Sequence, residues 1–432
     1  MLPLLSHAQA RRLFLGASAM LEDPARRATP ASLLALIERL GFVQVDSIHV
    51  LERAHHLTLR SRLDGYTHEM LRQLLEEQRR LFEHWTHDAS IVPVRWFAHW
   101  KLRFLRDRER MRSNRWWQHH LGDGGEQVVA AVRARIAQEG PLRSADFEHA
   151  GKRESWWGWK PQKAALDFLW RSGELMVPRR ERFQKLYDLT ERVHPREHAA
   201  PAPSSGEHLD WACRTAAERL ALFTPRELSQ FWNAIDLAAA RAWCGREAKA
   251  GALEEVRVES ADGSIAKAFA LAGWRARLAS LPDAPARTRL LCPFDPILRD
   301  RERARRRFGF DYRLEVFIPE RQRTHGYFVL PILEGEQLIG RLDPKLHRAA
   351  GVLEIRGLWW EPGVRPTKAR LRGLRDELER LARFVGARAI EMPKANSPSG
   401  AAALRARAAR PSRAGATSKR PARSSPRSRR GG

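Results

Sequence analysis

The sequence predicts an α+β protein, mainly α. Three helical units would each close on a β-hairpin, a small β-rich, barrel-like domain would follow, and a disordered basic tail would end the chain. Three observations predict this. Apolar residues recur at helical spacing through the first two thirds of the chain. Each of two long segments between Gly- or Pro-rich breaks ends in a β-prone stretch. After Arg287 the texture changes to short alternating runs of strand type.

In chain order, helices are expected at His7–Leu21, Pro30–Leu40 and Thr67–His84 within a first domain, residues 1–121. A flexible break at 122–125 precedes a second unit, 126–194. There Gln127–Gln138, Ser144–Glu148 and Pro161–Ser172 read as helices and Leu175–Leu189 as β-rich. The stretch from Pro195 to Gly206 leads to a third unit, 207–281. It has helices at Leu209–Ala221 and Leu237–Ala248, and Thr224-Pro225 is a helix start, with Pro at the first helical position. Asp262-Gly263 is a hairpin turn between Glu255–Val258 and Ile265–Ala270. Helix, helix, helix, hairpin is the winged-helix plan, which suits tandem docking on DNA. In the fourth domain, 287–390, Leu314–Ile318, Gly326–Leu333, Glu336–Arg341 and Gly351–Trp359 are strand-like, and Lys368–Val385 is a closing helix. Glu334-Gly335 makes a tight turn that could probe a groove. Residues 394–432 are mostly Ala, Arg, Ser, Pro and Gly, a composition that cannot bury enough surface to offset its ordering entropy.

The 432 residues carry 77 Lys+Arg against 51 Asp+Glu, a net charge of +26. Eleven of the basic residues lie in the acid-free tail, which leaves +15 for the body. A polyanionic partner, with nucleic acid first, is the expectation. The N-terminus lacks the features of a secretory signal, and no run approaches the length of a membrane span. Three scattered cysteines, Cys213, Cys244 and Cys292, form no CxxC pair, which suits a reduced cytoplasm rather than a disulfide framework. Nucleotide, dinucleotide and zincin motifs are missing.

The sharpest feature is Gly41-Phe-Val-Gln44-Val-Asp46-Ser-Ile48. On a strand, Gln44 and Asp46 would project together while Val43 and Val45 face the core. A carboxylate can stabilise an oxocarbenium-like sugar, and an amide can orient a water. By spacing alone any half-buried strand shows this alternation.

The chain resembles the YcaQ/AlkZ family of winged-helix DNA glycosylases. Four stretches carry the likeness: LGFVQVDSIHVLERAHHLTLRSRL (40–63), LFEHWTHDAS (81–90), LLCPFDPILRDRERARRRFGFDYRLEVFIPERQRTHGYFVLPIL (290–333) and LIGRLDPKLHR (338–348). Gln44-Val45-Asp46 matches the Gln-x-Asp signature of the YcaQ branch, also called AlkX, and not the Gln-x-Gln of the AlkZ branch. The resemblance implies a monofunctional glycosylase that acts on N7-alkylated purines and unhooks interstrand crosslinks, with a β-domain hairpin reaching the DNA. Alkylation at N7 makes the base a good leaving group, so a single carboxylate would suffice. No lysine stands at the motif to supply a Schiff base.

Asp46 and Gln44 are expected to be catalytic. Arg53, Arg60, Arg62, Arg305 and Arg306 are expected as phosphate contacts, and His55 and His56 as DNA contacts. With His49, these histidines show no recognisable metal-ligand spacing. Neither metal nor organic cofactor is expected. His84, Trp85, His87 and Asp88 could line the same cleft. Trp156, Trp157 and Trp159 could stack on bases, although core packing fits them better. The expected partner is double-stranded DNA bearing alkylated bases or crosslinks, bound by a monomer, with no membrane. The rival reading is a non-catalytic winged-helix DNA-binding protein or transcriptional regulator.

Overall fold

The computed structural model describes residues 1–121, 124–147 and 161–392. The expectations for Trp156, Trp157, Trp159 and the basic tail lie outside the described residues. The protein is a mixed α/β structure rich in helix. Among the described residues, no helix is long and apolar enough to cross a membrane.

The helix Pro30–Leu40 starts at a capping box in which Thr29 and Ser32 exchange hydrogen bonds, with Pro30 at the first turn. It buries Leu33, Leu36, Ile37 and Leu40. Gly41 ends it at φ +92°, and a Cβ there would come within 2.9 Å of Arg219 and 3.1 Å of Trp232. Glycine therefore serves both the turn and the close approach. The chain re-emerges as the short strand Val43–Gln44, which pairs with Ala89–Pro93 of a hairpin. Helices Ala54–Arg60 and His68–Arg72 lie between them, the second running into a π turn at Gln73–Glu77.

The expected helix Thr67–His84 is thus corrected: it stops at Glu77, and Leu81–Trp85 is a strand. Arg79 takes φ +52° at the break. Leu81 then joins the Leu33–Leu36 core while Phe82 enters the aromatic core around Phe97 and Trp100. Such two-faced burial calls for a strand and overrides helix propensity.

The order helix, short strand, helices, hairpin occurs twice more. Gly125–Glu139 and Pro161–Arg171 precede Gln184–Leu189, which pairs with Leu142–Arg143 and Leu175–Met176. Ser205–Leu220, Pro225–Trp232 and Leu237–Lys249 precede the hairpin Leu253–Glu259/Ile265–Leu271. Thr224 caps Pro225–Trp232 in a full capping box with Glu227, and Gly263 turns the hairpin at φ +80°.

The first helix, His7–Ala17, packs on the third unit and on Arg301–Phe308. The preceding strand, Leu4–Leu5, adds in parallel to Arg257 and Val258.

Five strands build the C-terminal sheet, in the order 288–290, 330–334, 337–347, 352–360, 389–391. Helix Lys368–Val385 covers it with Leu374, Leu378 and Leu381. Leu314–Ile318 is not a strand, against expectation. The Glu315 carboxylate accepts the backbone N–H groups of Thr324, His325 and Gly326 at 2.9–3.2 Å, donors that a neighbouring strand would otherwise have used. The Glu334–Gly335 turn is not a free probe either. Arg370 holds Glu334 at 2.7 Å and Arg12 holds Glu336 at 2.6 Å.

Candidate active site

Strand Val43–Gln44 divides two environments. Val43 and Val45 are buried among Leu36, Leu40 and Ile91. Gln44, 8% exposed, faces a cavity of about 390 Å³ on the other side. The strand register sets this alternation, with Gln44 opposite Ser90 and the Val45 N–H donating to the Ala89 carbonyl at 2.8 Å.

The Gln44 amide is fixed at both ends. Its Nε2 donates to Asp88 Oδ2 at 3.2 Å, and its Oε1 lies 3.1 Å from His87 Nε2. The pair assigns the orientation of the amide and makes His87 Nε2 the protonated nitrogen. Burial, reinforced by the charges of Arg299 and Arg103, pushes His87 down to about 3, so this ring is neutral near pH 7. Asp88 accepts the Ala89 N–H at 2.8 Å. Even so, burial and then the charge of Asp46 raise its carboxyl above the usual range. Asp46 is half-buried just past the strand, and its Oδ1 accepts the Ile48 N–H at 2.8 Å.

The cavity is walled by aromatic and basic groups. Arg299 lies 4.9 Å from the ring centroids of both Phe42 and Phe231, and it donates to the Phe231 carbonyl at 3.1 Å. Burial, then repulsion from Arg303, lowers Arg299 to about 10. Lys185 also bears on the site, because its charge acts on Asp88. Its amine stands 3.1 Å from the Trp170 ring centroid and 3.8 Å from Glu83. Burial, opposed by Glu83, brings it down to about 8.

Three expected DNA contacts are corrected. Arg62 is fully buried and forks onto Asp295 at 2.6 and 2.9 Å. Arg60 is buried against Glu377 at 2.9 Å. His55 is 7% exposed. Arg60 and Arg62 are drawn to carboxylates of the C-terminal domain, while His55 turns into a cavity shared with Arg180 and Phe183. Arg53 is partly exposed and covers Phe183 at 3.7 Å. His56 Nδ1 lies 2.6 Å from the Tyr66 hydroxyl. Arg305 and Arg306 keep exposed surface while meeting Glu302 and Glu227.

Sequence reasoning missed Phe231 and Lys185, and it gave Arg299 and His87-Asp88 no definite role in the site. Arg299 and His87-Asp88 lie in two of the quoted stretches, which is the one signal that could have found them. Nothing local marks Phe231 or Lys185.

The family described as DNA glycosylase AlkZ-like matches residues 37–384. Among solved structures, the chain is similar to the Streptomyces sahachiroi DNA glycosylase AlkZ. The TM-score is 0.58 at 16% identity, over 90% of this chain and 99% of that one.

Proposed function

Since the chain belongs to the AlkZ-like DNA glycosylase family, a DNA-repair family, we propose that it hydrolyses the N-glycosidic bond of N7-alkylated purines and unhooks crosslinks formed through them. The observation that carries this reading is the Gln44 amide, fixed by Asp88 and His87 on the wall of a cavity lined by Phe42, Phe231 and Arg299, with Asp46 near enough for its charge to act on Asp88.

In the proposed mechanism the cationic base departs without prior protonation. Asp46 stabilises the sugar cation and takes a proton from the attacking water. Gln44 orients that water with the N–H and lone pair that His87 and Asp88 do not use. His87, neutral, works as a positioning residue. Three winged-helix units present the DNA face of a monomer, with Arg53, Arg305 and Arg306 reaching the backbone. The Gln44–Asp46 motif carries no lysine to form a Schiff base, so the reaction stops at an abasic site.

Single-turnover release of 7-methylguanine from duplex DNA tests the reading. Asp46→Asn is expected to lower the rate about 10²–10³-fold, in the range of a lost transition-state electrostatic contact, with DNA affinity unchanged. Gln44→Ala should cost about tenfold or more. Release that survives Asp46→Asn would remove Asp46 from the chemistry. No release from this substrate or from a mustard crosslink would overturn the substrate assignment.

A further inference from the structure

Val45 points away from Gln44 and lines a second cavity, of about 240 Å³. His55, His56, His68, Arg53, Arg180 and Phe183 share that lining. At its edge, Glu52, His56 and His68 each offer one ligand atom, and these atoms all lie within 4.8 Å of one another.

The geometry of this group is unlike that of an ordinary ion pair. Charge-assisted N–H···O bonds settle at roughly 2.7–2.9 Å. Here His68 Nε2 stands 3.5 Å from Glu52 Oε2. Donors placed on a tetrahedron at the usual zinc distance, about 2.0–2.1 Å, are roughly 3.3–3.4 Å apart. The Glu52–His68 spacing is close to that of two ligands around a shared centre.

The surroundings fit as well. His56 meets Tyr66 through Nδ1 at 2.6 Å, which leaves Nε2 to act as the ligand. A metal-bound histidine is commonly fixed through its other nitrogen in this way. The rings of His56 and His68 sit 4.0 Å apart at 87°. Phe384 backs His68 with centroids 5.3 Å apart. His55 Nδ1 is buried with no hydrogen-bond partner among the described residues, in the same cavity.

We propose that Glu52, His56 and His68 bind one first-row divalent cation of the zinc type, with the cavity side left open to a further ligand. Two imidazoles and one carboxylate select such a cation over calcium or magnesium, which favour all-oxygen sites. The ion would clip the start of Ala54–Arg60 to the start of His68–Arg72. That clip would brace the segment that follows the Val43–Gln44 strand.

The test uses full-length, tag-free protein, first stripped with a chelator. Zn²⁺ alone is titrated by calorimetry and Co²⁺ by visible absorption, without DNA, so that a failure here leaves the glycosylase reading standing. One equivalent of Zn²⁺ should bind at micromolar or tighter affinity and raise Tm. His68→Ala, at an exposed position that should not disturb folding, is expected to weaken binding at least tenfold and to abolish the Co²⁺ d–d bands. Glu52→Gln should do the same. Binding below half an equivalent would overturn the proposal. So would unchanged binding in both variants, which would place the metal elsewhere on the chain.

Discussion

An amide offers two N–H donors and two lone pairs, and at Gln44 Asp88 and His87 take one of each. What remains is aimed by what is taken. His87→Ala should therefore lower single-turnover base release about tenfold with little change in affinity, the pattern of a lost transition-state contact. Its low pKa, about 3, means that no histidine step should appear in the rate between pH 6 and 8. Asp88 behaves differently. Its carboxyl sits above the usual range, for burial first and Asp46 second, so it takes up a proton at a higher pH than an exposed aspartate. The acid limb of the pH–rate profile should lie correspondingly high and should move to lower pH in Asp88→Asn, whose amide cannot titrate. A limb that persists unchanged in that variant would assign it to another group. The same neighbourhood sets the reaction's end point. Borohydride should trap no enzyme–DNA adduct, and a trapped adduct that disappears in Lys185→Met would show that Lys185 completes a lyase step.

At the scale of elements, the fork between Arg62 and Asp295 joins the turn after Ala54–Arg60 to the start of the helix Pro296–Arg299. Both partners are wholly buried. Arg62→Ala leaves Asp295 charged and unpaired, and should cost about 3–5 kcal/mol of stability, read as a lower Tm. Affinity per folded molecule for DNA should not change. The reverse outcome, a normal Tm with weak binding, would restore the phosphate contact read from the sequence. Capped helices such as Pro30–Leu40 and Lys368–Val385 were legible to the residue, because their start and stop signals are local. The turn at Asp262-Gly263 was legible for the same reason. The segment 78–85 was not, because only its tertiary partners make it a strand. Arg60 and Arg62 were misread because a sequence reports charge but not which carboxylate lies opposite, and both partners stand over 200 residues away. His68 was passed over for the same reason: its relation to Glu52 and His56 is spatial.

Across the whole molecule, positive charge outlasts the many internal pairings, and it is densest in the acid-free residues 394–432. Affinity for DNA should fall steeply with salt, as expected when counterions are released. Deleting residues 394–432 should weaken binding and flatten the slope of log K against log salt, leaving the single-turnover rate unchanged. A large loss in that rate would instead tie the tail to chemistry. Global architecture also imposes an order of events. Leu4 and Leu5 pair with Arg257 and Val258, and His7–Ala17 rests on elements between residues 205 and 308. Residues 4–17 leave the ribosome long before these partners and are thus among the last to find their place. At roughly 5–20 residues per second, they wait about ten seconds to nearly a minute for their partner strand to be made. During that interval Leu13, Phe14 and Leu15 remain uncovered, a stretch on which a nascent-chain chaperone could act.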